Sequence, residues 1–148
     1  MRTDVLGVAF DDVTMDEAVD RALAMLEEDG PHLVVTPNPE IVQRAKQDPE
    51  FARILAGAHL VIPDGIGVVY AARILGRPLK GRVPGIDFAA ALLGRAAGMG
   101  KRLYLLGAAP GVAEQAAVNL QAAYPGLVVC GAHDGYFQED GPVAGAIR

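Results

Sequence analysis

The chain has 148 residues, 51% hydrophobic and 21% charged, enough to bury one core without disulfides and too apolar for a disordered tail. Its net charge is −5 and its Lys and Arg residues form no run, so the electrostatic source of nucleic-acid affinity is missing and no nucleic-acid partner is expected. The most apolar stretch, residues 54–72, is broken by His59, Pro63, Asp64 and glycines, which excludes an uninterrupted spanning helix of about 20 apolar residues.

Residues 5–10 read as a short strand turning at Asp11-Asp12. Asp4, Asp11 and Asp12 stand where a signal peptide would need a basic start and an apolar run, so a cytoplasmic chain is expected. Thr14 and Glu17 then form a capping box, and Met15, Ala18, Val19, Ala22 and Leu26 recur at helical spacing toward Gly30. Residues 32–36 form a brief apolar strand, followed by Pro37-Asn38-Pro39, a helix through Lys46, an interruption at Asp48-Pro49 and a second short helix.

The strand, turn and helix unit recurs. Residues 59–62 lead into a helix from about Ile66, residues 102–106 into one from about Pro110, and residues 127–131 into the loop around Tyr136; another helix covers residues 86–97. Continuous apolar strands alternating with helices predict an α/β fold of Rossmann-like, doubly wound type, with a mainly parallel sheet and helices on both faces. No repeat or low-complexity linker marks a boundary, so residues 1–148 are expected to be a single domain. After Gly141-Pro142 a helix begins over residues 143–148 with no strand to complete the unit, which reads as a truncation. The lone cysteine, Cys130, follows Leu127, Val128 and Val129 and is expected to be a buried, inert thiol.

In open parallel sheets ligands bind beyond the carboxyl ends of the strands, so chemistry is sought there. Asn38 before Pro39 is a strong helix cap, and Thr36 and Asn38 are also placed to offer a hydroxyl and an amide to a polar ligand; both readings stand. In Pro63-Asp64-Gly65-Ile66-Gly67, Asp64 is either a turn or cap residue or a general base at a strand mouth, and the base is favoured. Gly65 and Gly67 also suggest a dinucleotide fingerprint, but its third position holds Tyr70, expected to obstruct helix–sheet packing, and Asp64 would repel a pyrophosphate. An NAD-dependent oxidoreductase is accordingly disfavoured.

Gly107 and Gly111 belong to a small-residue loop entering a helix, suited to a diphosphate or simply to a tight turn, and the lysine of a P-loop is missing. Arg82, just before a helix, is either a phosphate-binding fork or a solvated surface arginine. Tyr136 and Phe137 either line a base pocket or plug a sheet edge. His32, His59 and His133 lack ligand spacing and no Asp-x-Asp triplet occurs, so neither a metal nor another cofactor is expected.

Taken in order, Thr36-Pro37-Asn38-Pro39-Glu40, Pro63-Asp64-Gly65-Ile66-Gly67-Val68-Val69, Arg82-Val83-Pro84-Gly85-Ile86-Asp87, Leu105-Leu106-Gly107 with Pro110-Gly111-Val112-Ala113, and Tyr124-Pro125-Gly126-Leu127 through Gly135-Tyr136-Phe137 resemble the WecG/TagA/CpsF family of glycosyltransferases. The resemblance covers nearly the whole chain. It implies inverting, metal-independent transfer of an N-acetylmannosamine-type sugar from a UDP donor to an undecaprenyl-diphosphate-linked N-acetylglucosamine, in the synthesis of bacterial surface polymers such as teichoic acid linkage units. On it Asp64 matches the base, Thr36 and Asn38 match substrate-pocket residues, and Arg82 matches the cation near the diphosphate. Gly65, Gly107, Gly111 and Tyr136 complete the expected substrate contacts.

Family members continue into a further strand, a Pro-Lys-Gln-Glu motif and often a basic segment that docks on the membrane, and this chain stops first. The resemblance therefore implies a site completed by segments not present here, at the inner face of the cell membrane, and a homo-oligomer is compatible with it. A non-catalytic nucleotide-sugar binding domain is the rival reading.

Overall fold

A computed structural model describes residues 1–147. It is a mixed α/β structure dividing into two compact units, Met1–Leu92 and Leu93–Arg148.

The first unit opens with β1 (Arg2–Val5) and β2 (Val8–Asp11), an antiparallel hairpin. The single strand expected over residues 5–10 is thus corrected. The chain reverses at Leu6 and Gly7, both at positive φ (56° and 93°), which matches a primed two-residue turn whose twist suits a hairpin. Leucine is no turn former, so only Gly7 signalled the reversal. Helix α1 (Met15–Met25) starts in the expected capping box: the Glu17 amide donates to Thr14 Oγ1 at 3.3 Å and the Thr14 amide to Glu17 Oε2 at 2.8 Å.

The strands β3 (Val34–Val35) and β4 (Leu60–Val61) pair in parallel. Between them lie α2 (Pro39–Gln47) and α3 (Pro49–Ala56), each with proline in its first turn and an N-cap side chain, Asn38 or Asp48, accepting the amide three residues on. Helices α4 (Ile66–Ile74) and α5 (Gly85–Ala96) follow, the division between units falling inside α5.

Successive strand residues point to opposite faces, and β4 shows it. Leu60 and Ile62 pack with Ala18, Val19 and Ala22 of α1 and Phe88 of α5. Val61 packs the other way, with Val42 of α2, Leu55 of α3, Val68 and Ala72 of α4, and the hairpin's Val5, Val8 and Phe10. Helices therefore cover both faces of the β3–β4 pair. The buried Asp11 carboxylate ties the hairpin to this pair: Oδ2 accepts the Val61 amide at 2.8 Å and Oδ1 accepts from Arg21 at 2.9 Å, with Arg2 Nε 3.3 Å away.

The second unit contains a 3₁₀ turn (Ala97–Met99), β5 (Arg102–Leu106), α6 (Val112–Ala123), β6 (Val128–His133) and α7 (Pro142–Ile147). Strands β5 and β6 pair in parallel with a bulge at Leu103/Tyr104. The helix expected over residues 143–148 is α7, and Arg148 lies outside the described residues. Cys130 is exposed, not buried, with its thiol donating to the Leu103 carbonyl at 3.3 Å. An apolar run predicts a strand covered on both faces only when something covers both; in the first half of β6 exposed Val128 and Cys130 alternate with half-buried Val129 and Gly131, and Cys130 falls on the open side.

Among the described residues hydrogen bonding thus forms three two-stranded ladders, one antiparallel and two parallel, where a single mainly parallel sheet was expected. Among the described residues no helix is long and apolar enough to cross a membrane.

Candidate functional site

In the first unit the loops after β3 and β4, with the segment between α4 and α5, bring Thr36, Asn38, Asp64, Gly65 and Arg82 together. β4 runs into buried Pro63 and then Asp64, whose amide donates to the Ile62 carbonyl at 3.0 Å. Gly65 turns the chain into α4 at φ 113°, a conformation essentially reserved for glycine. A Cβ there would stand 3.1 Å from Pro39 Cδ and 3.8 Å from Asn38 Cβ, so this turn presses against the one leaving β3.

The Asp64 side chain is 28% exposed and held asymmetrically: Oδ2 accepts the Gly85 amide at 3.1 Å, while Oδ1 lies 3.8 Å from the guanidinium of Arg82, itself 49% exposed. Gly85 also locates Thr36. A Cβ at Gly85 would fall 3.1 Å from Asp64 Oδ2 and 3.1 Å from both Oγ1 and Cγ2 of Thr36, so hydroxyl and carboxylate meet over the same bare backbone. The segment bearing Arg82 is pinned where the Val83 amide donates to the Pro63 carbonyl at 3.0 Å. Asn38 caps α2 through Oδ1, which accepts the Ile41 amide at 2.9 Å. That leaves its NH₂ group to bond elsewhere, so capping and ligand contact are compatible.

Chemically, this is a largely buried carboxylate with one oxygen anchored by a backbone donor and the other turned toward a cation and open space. Such a group is placed to accept a proton. Arg82, not engaged bidentately, keeps most of its five donors for an anion. Among the described residues no three His, Cys, Asp or Glu side chains gather to hold a metal ion.

Tyr70 does not obstruct helix–sheet packing as expected. It is 54% exposed on the outer face of α4, so the case against a dinucleotide at Gly65 rests on the Asp64 charge alone.

The second unit holds Gly107, Gly111 and Tyr136. Gly107 and Ala108 both take positive φ (135° and 63°), and Gly111, left-handed at 87°, caps α6 without a side-chain bond. The first-turn amides of α6 therefore have no capping side chain. The Gly107 amide donates to the His133 carbonyl at 2.9 Å and the Gly135 amide to the Ala108 carbonyl at 3.0 Å, joining this loop to the one after β6. Tyr136 is exposed, its amide donating to Asp134 Oδ1 at 2.8 Å, and Phe137 meets His133 edge to face at 5.8 Å.

Residues 3–148 match the model of the "Glycosyl transferase WecG/TagA/CpsF family". The chain belongs to that family. The protein named N-acetylglucosaminyldiphosphoundecaprenol N-acetyl-beta-D-mannosaminyltransferase from Bacillus spizizenii is 37% identical over 114 residues, spanning 77% of this chain and 44% of its own. The protein of the same name from Staphylococcus aureus (strain NCTC 8325 / PS 47) is 34% identical over 150 residues, spanning 99% of this chain and 59% of its own. The chain thus spans about half the length of the curated relatives it matches.

Within this WecG/TagA/CpsF chain, the residue that sequence reading passed over is Gly85. It donates the amide that orients Asp64 and leaves the gap that Thr36 and Asp64 share. Its signal was present in Pro84-Gly85 at the start of a helix, where a glycine costs helix propensity with no turn to justify it.

Proposed function

We propose that the chain is the donor-handling part of an inverting glycosyltransferase that moves an N-acetylmannosamine-type sugar from UDP to an undecaprenyl-diphosphate-linked N-acetylglucosamine. The observation that carries this is the Asp64 carboxylate, oriented by the Gly85 amide, beside the Thr36 hydroxyl and 3.8 Å from Arg82. Membership of the family and the acceptor named for its relatives support it.

In this reading Asp64 takes the proton from the acceptor hydroxyl as that oxygen attacks the anomeric carbon. The bond from that carbon to the UDP oxygen breaks, its electron pair leaves on the diphosphate, and Arg82 stabilises the growing charge. Thr36 and the NH₂ of Asn38 hold sugar hydroxyls, and Gly65 makes the tight turn that sets Asp64 beside them. In the second unit, taken by itself, the loop of Gly107 and Gly111 is suited to a diphosphate and Tyr136 to a base. The Rossmann-like, doubly wound form of the fold and a place on the inner face of the cell membrane belong to the same proposal. The former is supported by the strand–helix alternation and by helices on both faces of β3–β4.

Asp64→Ala is the test. In a transfer assay with the UDP-sugar and a lipid-diphosphate acceptor, turnover should fall roughly 10²- to 10⁴-fold, the scale of a positioned base, while UDP-sugar affinity and the melting curve hold. Unchanged turnover in that variant removes Asp64 from the chemistry.

A further inference from the structure

We propose that Lys80 is a positioning residue for Arg82, fixing the backbone from which that guanidinium reaches the departing diphosphate. This role rests on the proposed function for the anion that Arg82 would meet. Between α4 and α5, residues 75–84 form neither helix nor strand, so no ladder of backbone bonds shapes them. Individual tethers on either side of Arg82 do so instead.

Downstream the tether is Val83, buried in the core beside α1 and α5, with its amide donating to the Pro63 carbonyl at 3.0 Å. Upstream it is Lys80. The Lys80 amide donates to Asp12 Oδ1 at 2.7 Å, and its ammonium donates to both oxygens of Glu17, at 2.7 and 2.8 Å. Glu17 is also held by the Thr14 amide in the capping box of α1, at 2.8 Å, so its carboxylate is placed independently of the lysine. An exposed ion pair ordinarily contributes little, because two long side chains must be ordered to form it. Here one partner is already ordered, and Asp12 adds a bond to the same residue.

Arg82 needs that support. Its guanidinium meets Asp64 only at 3.8 Å, too long for a hydrogen bond to set its direction, so the backbone must. Gly81, which joins it to Lys80, has open space where a Cβ would stand, and glycine is the residue least restrained by its own chain. With Lys80 released, the segment is free to pivot at Gly81 about the Val83 anchor and to carry Arg82 away from Asp64. Through Glu17 and Asp12, Lys80 thus ties the cation of the site to the start of α1.

The test is calorimetric titration of the chain with UDP. Arg82→Gln should weaken binding about 10- to 100-fold, the loss of bonds between charged groups. Lys80→Met should weaken it roughly 3- to 10-fold, the scale of a small displacement of the cation, and Lys80→Arg, able to reach both Glu17 oxygens, should keep the parent's affinity. Two results separate positioning from the mere presence of a positive charge. In the Arg82→Gln background Lys80→Met should cost nothing more, whereas the loss of a long-range field would persist. Glu17→Ala removes a negative charge and should still weaken UDP, whereas a field effect would tighten it. Melting curves follow folding, and Lys80→Met, which alters an exposed side chain, carries the test if Glu17→Ala loses its helix cap. Lys80→Met with the parent's affinity, or with the same loss in both backgrounds, overturns the role of Lys80 and leaves that of Arg82 standing. Undiminished binding in Arg82→Gln, or no binding of UDP by the chain, removes the anion-holding role of Arg82 from the proposed function and the positioning role with it.

Discussion

Removing the Asp11 carboxylate should destabilise the first unit by about 3 kcal/mol, a sum that follows from who its partners are. The carboxylate is buried and accepts the Val61 amide at 2.8 Å, a bond inside the core between the hairpin and β4. Asp11→Ala leaves that amide without a partner, which costs about 1–3 kcal/mol. Arg21 and Arg2 also lose their anion, but their side chains are 41% and 31% exposed and can rehydrate, so each adds at most about 1 kcal/mol and not the full cost of breaking a buried pair. Asp11→Asn keeps an acceptor oxygen for Val61 while losing the charge, and should cost about half as much. Urea denaturation followed by circular dichroism reads the difference: with a slope of about 2 kcal/mol/M, the Ala variant's midpoint should fall by about 1.5 M. An Ala variant within about 1 kcal/mol of the parent would show that the buried bond is replaced by solvent or neighbours, and that Asp11 does not hold β4 and the Asp64 loop in place.

Other outcomes follow from single contacts. Gly85→Ala puts a methyl carbon 3.1 Å from both Asp64 and Thr36, forcing shifts of a few tenths of an ångström; since about 1 Å of misplacement costs on the order of 10²-fold, transfer should fall roughly 3- to 10-fold with the melting temperature unchanged or raised, and full activity would refute the arrangement. The Lys80 ammonium, bonded to Glu17 at 2.7 Å, is the largest influence holding the Glu17 carboxyl below its ordinary 4.5, and the same bond raises Lys80 above 10.5. This exposed pair therefore contributes fully between those values, fading as acid protonates Glu17 below 4.5 and as base deprotonates Lys80 above 10.5. In Lys80→Met the carboxyl-carbon titration of Glu17 should move up toward 4.5, and an unmoved curve would show that the Thr14 amide alone sets it. The exposed Cys130 thiol should react with a disulfide reagent in the native chain at a rate little changed by denaturant, whereas labelling only after unfolding would return it to the interior.

Sequence alone determined what is local. The caps at Thr14, Asn38 and Asp48 each use an amide three residues away, so their geometry is complete within one turn of chain. The apolar runs at residues 32–36, 59–62 and 102–106 located β3, β4 and β5 for a related reason, since the preference of branched and aromatic side chains for extended chain acts one position at a time. Tertiary structure decided everything that depends on a partner distant in sequence. Nothing near Asp11 reveals that it binds Val61 instead of closing a turn, and nothing near Cys130 reveals that one face of β6 is open. The candidate site lies between these limits. Its polar residues were legible because each ends a strand or begins a helix, yet Thr36, Asp64, Arg82 and Gly85 become one site only because the parallel pairing of β3 with β4 sets two turns side by side and the bond from Val83 to Pro63 brings a third segment to them.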